Sequence, residues 1–260
     1  MTFNYKGSKV FYEETGSGQA CLMLHGFLEN YSYWQSIIPS LQQRYKVVSV
    51  DLPGHGSSDL PEVELSMHGM AEIVAALLQH LNIQRTTIIG HSMGGYVGLA
   101  FARAYTERVS GLILLNSSPL KDDKSRIESR KHGIKVAEKN YPAIVKMSVA
   151  NLFSEEDKSI LKKTIDQLKA EALQTPRAGY RAAQLAMMHR PDLSRFLKEA
   201  NFKKLLILGS DDTLIDSDKL DKLFTNSSVD LKIVSGGHQL LFVNFKETTK
   251  LIQDFLKSDT

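Results

Sequence analysis

Gly90-His91-Ser92-Met93-Gly94-Gly95 decides how this chain is read. An apolar run, Thr86-Thr87-Ile88-Ile89, precedes it, and a helix-like run from Tyr96 to Tyr105 follows. Strand, sharp turn with a serine between glycines, then helix is an order that holds a serine hydroxyl clear of the chain. So tight a turn strains the serine backbone and leaves no room for bulk beside it, a need that glycine at 90 and 94 meets. It also sets Ser92 at the start of a helix, where free N–H groups and the helix dipole favour developing negative charge.

Outward from that turn, strand-like and helix-like segments alternate. Val10 to Glu14, Cys21 to Leu24, Tyr45 to Val50, Thr86 to Ile89, Val109 to Leu115, Lys204 to Leu208 and Leu231 to Val234 read as strands. Several are short continuous apolar runs, as expected for strands buried on both faces. Helical patterns cover Tyr33 to Gln43, Met67 to Leu81, Tyr96 to Tyr105, Ser217 to Phe224 and Asn244 to Leu256. This alternation predicts an α/β protein with a mostly parallel sheet and helices on both faces. No helix separates the first two strands, so an antiparallel edge hairpin is expected there.

The alternation stops between about Pro119 and Ala200, where the chain is charged and helical with no strand candidate. We read residues 1–119 with 201–260 as the core domain and 120–200 as a helical cap inserted over the catalytic edge.

The bulk numbers exclude some classes. The chain has 260 residues, 42% hydrophobic and 23% charged, with a net charge of +3. These are ordinary for a globular protein, and nothing in them points to a nucleic-acid partner. The basic excess gathers in the helical middle, in residues such as Lys124, Arg126, Arg130, Lys131, Arg177 and Arg181. An acidic substrate under a basic lid is one reading of it, a solvated helix face the other. The single cysteine, Cys21, forms no internal disulfide. The sequence shows no apolar signal core and no run long enough for a membrane span, so a cytoplasmic location is expected.

Serine chemistry needs a base, an acid to orient it, and donors for an oxyanion. Of the eight histidines, His238 follows the last strand in the glycine-rich loop Ser235-Gly236-Gly237-His238. That places it at the same sheet edge as Ser92. Asp211 and Asp212 both follow the Lys204 to Leu208 strand and both qualify as the acid. The oxyanion donors expected are the backbone N–H groups of Met93, next to the nucleophile, and Phe27, in the loop His25-Gly26-Phe27-Leu28. His25 is read as bracing that loop, and Asp51 as a structural carboxylate accepting from nearby loop N–H groups. Pocket candidates are His25, Gly26, Trp34, Met147, Phe153, Met187 and Met188; for Trp34 and the methionines, core packing explains the residue as well.

Together these motifs resemble the α/β-hydrolase fold family of serine enzymes over essentially the whole chain. The stations are His25-Gly26-Phe27 with Trp34, Asp51-Leu52-Pro53-Gly54-His55-Gly56-Ser57-Ser58, Gly90 to Gly95, Arg190-Pro191-Asp192, Gly209-Ser210-Asp211-Asp212 and Gly237-His238. The resemblance implies eight strands, a lid between strands six and seven, and no cofactor. It also implies that the acid is Asp212 rather than Asp211, giving a triad Ser92, Asp212, His238. Relatives that carry the acid after strand six have a carboxylate where this chain reads Asn116-Ser117-Ser118-Pro119.

The implied activity is hydrolysis of a small carboxylic ester or related carbonyl compound by a monomer or homodimer. Two alternatives stand beside it. One is carbon–carbon bond hydrolysis, or a menaquinone-pathway type of elimination, on an acidic substrate. The other is a ligand-sensing receptor that keeps the triad. Against the elimination, Tyr96 stands where such relatives are expected to have arginine.

Overall fold

The apolar runs become one eight-stranded sheet in a computed structural model, which describes residues 1–257. The strands are β1 Thr2–Tyr5, β2 Ser8–Thr15, β3 Gln19–Leu24, β4 Tyr45–Val50, β5 Thr86–His91, β6 Val109–Leu115, β7 Lys203–Gly209 and β8 Asp230–Val234. Their order across the sheet is β1-β2-β4-β3-β5-β6-β7-β8. From β4 through β8 all neighbours are parallel, and β1 and β2 form the antiparallel end.

Period-2 alternation sorts the strand side chains into two cores. Leu22, Leu24, Ile88, Leu112, Leu114, Leu206 and Leu208 face one layer. Cys21, Met23, Ile89, Ile113, Leu115, Leu205 and Ile207 face the other. The first layer is closed by α2 Met67–His80 and α3 Met93–Ala104, the second by the short α1 Ile38–Leu41 and by α12 Phe245–Lys257. Burial on both sides is why these strands read as unbroken apolar runs.

Two expectations fail here for clear reasons. The two strand-like runs first read, now β2 and β3, are not paired with each other. β2 pairs with β1 and, through Tyr12 opposite Val50, with β4. Both edges of β3 are taken by parallel partners, β4 and β5. The chain passes the start of β4 at Gly16, whose φ is 75°, and a Cβ there would lie 2.3 Å from the Tyr45 carbonyl oxygen. The hairpin that does exist joins β1 to β2, a strand the sequence reading passed over. The helix expected from Tyr33 to Gln43 is also broken, into a 3-10 turn at Tyr31–Trp34 and the four-residue α1. Pro39 lies inside that span, and its missing N–H and ring forbid a continuous helix.

Six helices run between β6 and β7. They are α4 Lys124–Lys139, α5 Tyr141–Ala150, α6 Glu155–Ile160, α7 Lys162–Ala172, α8 Arg177–Met188 and α9 Ser194–Glu199. Part of this segment shares a cluster of its own, with Ala137, Ile144, Val145, Val149, Phe153, Ile165 and Tyr180 packed around Leu28. After β7 come α10 Ser217–Phe224 and, following β8, α11 Leu240–Val243 ahead of α12. Among the described residues no helix is long and apolar enough to cross a membrane.

Candidate active site

The carboxyl ends of β3, β5, β6, β7 and β8 deliver Phe27, Ser92, Asn116, Asp212 and His238 to one edge of the sheet. Ser92 adopts φ 48° and ψ −114°, a conformation sparsely populated for a residue with a side chain. Strain of this kind costs about 1–3 kcal/mol and persists only where the surroundings enforce it. They do so here: a Cβ at Gly94 would lie 2.1 Å from the Leu24 carbonyl oxygen, and one at Gly90 would lie 2.5 Å from that of Gly94. The Ser92 N–H donates to the Leu115 carbonyl at 3.0 Å, and the Ser117 hydroxyl donates to the Ser92 carbonyl at 2.7 Å.

His238 lies between the hydroxyl and a carboxylate. Its Nδ1 is 2.8 Å from Asp212 Oδ2, and its Nε2 is 2.9 Å from Ser92 Oγ. A carboxylate oxygen only accepts, so Nδ1 carries the proton and Nε2 offers its lone pair to the serine O–H. Asp212 Oδ1 accepts from the N–H groups of Leu214 and Ile215, and Oδ2 also accepts from Asn116 Nδ2 at 2.9 Å. Burial alone would raise the Asp212 carboxyl. The nearby His238 ring and these hydrogen bonds outweigh burial and hold it below the usual carboxylate value. Asp211 turns away and accepts from the Ser210 hydroxyl at 3.0 Å.

Phe27 and Met93 border the same space. Neither backbone N–H takes part in the turn and loop hydrogen bonds of the described residues, and Met93, the first residue of α3, has no intrahelical acceptor. His25 is fully buried. It accepts from the Leu52 N–H through Nε2 at 2.9 Å, which leaves Nδ1–H to donate to the Gly26 carbonyl at 2.7 Å. Burial pushes its pKa down to about 4, so the ring is a neutral brace. Asp51 accepts from the N–H groups of Tyr31 and Ser57, each at 2.7 Å, tying two loops together.

A cavity of about 290 Å³ opens above Ser92 and His238. Its floor includes Phe27, Leu28 and Tyr96, and its roof is made by α4, α5 and α8. Of the pocket candidates read from sequence, only Met187 lines it. Trp34 is fully buried in the opposite layer, against Tyr33, as the anchor of its turn. Met147 is 52% exposed on the outer side of α5. Phe153 packs inside the helical cluster, and Met188 is buried away from the lining. His25 and Gly26 sit beneath the floor, where a Cβ at Gly26 would collide with Glu29 and His91. The residues that do line the roof include Arg126, Arg130, Ser148, Tyr180 and Gln184. Arg126 and Arg130 were visible only as members of a basic run. Polar residues at helical spacing give no sign of which face turns inward. Among the described residues no cluster of three or more metal-binding side chains occurs.

Residues 20–245 match the family model described as alpha/beta hydrolase fold. An uncharacterized protein of Mycobacterium tuberculosis is 38% identical over 117 residues, 45% of this chain; the match spans about a third, 34%, of that relative's length. The 2-hydroxy-6-oxo-6-phenylhexa-2,4-dienoate hydrolase of Comamonas testosteroni is 29% identical over 95% of this chain and 91% of its own. A thermophilic esterase from Thermogutta terrifontis, solved with malate bound, superposes with a TM-score of 0.90. It is 26% identical and aligns over 99% of this chain and 96% of that one.

Proposed function

From the premise that the chain belongs to the alpha/beta hydrolase fold family, we propose that it is a hydrolase that cleaves a small carboxylic ester through an acyl-enzyme on Ser92. The observation that carries this reading is the placement of His238, 2.8 Å from Asp212 and 2.9 Å from the Ser92 hydroxyl. Ser92 Oγ attacks the carbonyl carbon while His238 Nε2 takes its proton. Asp212 fixes the tautomer and stabilises the imidazolium that forms. The Phe27 and Met93 N–H groups, without other partners among the described residues, receive the oxyanion. His238 then passes its proton to the departing alkoxide. A water, deprotonated by the same ring, attacks the acyl carbon, releases the acid and restores the Ser92 hydroxyl. Residues 120–200 act as the cap that walls this chemistry off from bulk water.

The test is turnover of p-nitrophenyl esters of graded acyl length by the wild type and Ser92→Ala. The variant is expected to lose about 10⁴-fold or more in kcat. Wild-type activity in a cleanly purified variant would overturn the assignment.

Arg126 favours a second reading on the same triad, an acidic carbonyl substrate. Its guanidinium lines the cavity and donates to the Leu214 carbonyl, with no carboxylate partner among the described residues. Arg130 and Arg190, by contrast, share Asp122. An unneutralised guanidinium lining the same cavity as Ser92 suits a substrate carboxylate. The named substrate of the Comamonas relative is such a carboxylate, a dienoate. Turnover of an acidic diketone or enol, with no hydrolysis of neutral esters, would select this reading over the first.

A further inference from the structure

Behind the triad lies a second buried carboxylate–imidazole pair that the reaction above does not use. Glu29 follows the oxyanion loop, and His91 precedes the nucleophile. Their side chains are 8% and 1% exposed, and Glu29 Oε2 is 3.0 Å from His91 Nδ1. The same oxygen accepts from the Gly26 N–H at 2.6 Å, and Oε1 accepts from Gln239 Nε2 at 2.9 Å. The other ring nitrogen, His91 Nε2, lies 3.1 Å from the main-chain carbonyl of His238 itself. The Tyr33 ring stacks on the imidazole at 4.4 Å.

Proton counting constrains this cluster. A carbonyl oxygen only accepts, so His91 Nε2 carries a hydrogen. A second proton must then lie between Nδ1 and Glu29 Oε2, or two lone pairs would face each other in a buried site. Burial would raise the Glu29 carboxyl, but the His91 ring and the bonds from His91, Gln239 and Gly26 together hold it below its usual value. Glu29 and His91 therefore share that second proton across their 3.0 Å contact. A carboxylate meets three donors here; an amide has one acceptor atom and cannot.

We infer that Glu29 and His91 are positioning residues that lock the oxyanion loop, the nucleophile turn and the His238 loop into one register. The inference rests on Ser92 being the nucleophile. Glu29 holds the Gly26 peptide that leads into the Phe27 N–H. His91, one residue from Ser92, holds the carbonyl of the residue that supplies the general base. Both ends matter most when charge develops, so loosening them lowers kcat and leaves KM nearly unchanged.

The experiment compares wild type, Glu29→Gln, His91→Asn and Ser92→Ala on a p-nitrophenyl ester. Rates are normalised to sites titrated with a fluorophosphonate, except for Ser92→Ala, which is normalised to folded protein. Glu29→Gln removes at least one of the three acceptor bonds, that from Gln239, and puts an N–H₂ against its donor. His91→Asn keeps a donor toward Glu29 but frees the His238 carbonyl, and it decides the matter alone should Glu29→Gln fail to fold. Each variant is expected to lose about 10- to 100-fold in kcat per titrated site, with KM within about threefold. Unchanged kcat per titrated site, even with a lowered Tm, overturns the inference and leaves only a brace for folding. An inactive Ser92→Ala beside unimpaired Glu29→Gln and His91→Asn overturns this inference alone. An active Ser92→Ala overturns the serine reading and this inference with it.

Discussion

At the floor of the cavity, Ser92 is held by backbone. Gly90 and Gly94, two residues to either side, are glycines because any Cβ would meet a carbonyl oxygen at 2.5 Å or less, and His238 bonds to Ser92 and Asp212 at 2.9 and 2.8 Å. At the roof, α4, α5 and α8 present long side chains such as Arg126, Arg130, Met187 and Gln184, whose places depend on how the helices pack on one another. The floor is set by short-range sterics, which few sequences satisfy. The roof is set by helix packing, which many sequences satisfy. On the proposed function, chemistry is therefore written in a handful of local motifs, and substrate choice is spread over a segment with no motif at all.

That contrast is open to attack at both ends. On the floor, Asp212→Asn leaves the shape intact but destroys the tautomer preference of His238, and kcat is expected to fall about 10⁴-fold. Steady-state kinetics check this, and a loss under tenfold would mean the carboxylate is a bystander. On the roof, Arg126→Met should cost an acidic substrate about 10- to 100-fold in kcat/KM, the worth of one or two charge-assisted hydrogen bonds. Neutral esters should be turned over as before, so comparing the two substrate types separates specificity from chemistry.

Between floor and roof, Asp122 accepts from Arg130 at 2.6 Å and from Arg190 at 2.7 Å. Asp122→Asn removes the shared counter-charge of two guanidinium groups and is expected to cost about 3 kcal/mol in denaturant unfolding. Burial would raise this carboxyl, but the two arginines hold it below its ordinary value. The unfolded chain thus takes up the proton at higher pH than the folded one. The stability Asp122 contributes is complete above the ordinary carboxylate range and is lost as pH falls through the depressed folded value. Urea titrations should accordingly show the gap between wild type and Asp122→Asn narrowing on acidification. The smallest effect belongs to Met147, exposed on the outside of α5 and away from the cavity. Met147→Gln should shift stability by less than about 0.5 kcal/mol and leave acyl preference unchanged.

The same contrast explains what the sequence could say. The strands β3 to β7 were legible because burial on both faces leaves unbroken apolar runs. The turn at Ser92, and the loops carrying Asp212 and His238, were legible because glycine marks close approach. β1 was missed because its four residues, Thr2 to Tyr5, are half exposed and carry no apolar run. The expected hairpin of β2 with β3 failed because strand order is decided by partners remote in sequence. Among the pocket candidates, Met187 alone lines the cavity, while Trp34 beneath it and Met147, Phe153 and Met188 of the helical segment serve packing or the surface. Apolar residues on a helix that packs on two sides do not reveal which side holds the substrate. Glu29 went unnoticed because a lone glutamate in a loop has no pattern; its three donors meet only in space.

The most direct measurement is peptide mapping by mass spectrometry after reaction with a fluorophosphonate or a slowly deacylating ester. The account requires one adduct per chain, on the peptide containing Ser92, and none on the Ser92→Ala protein. An adduct on a different residue, or steady ester turnover with Ser92 never modified, would contradict it.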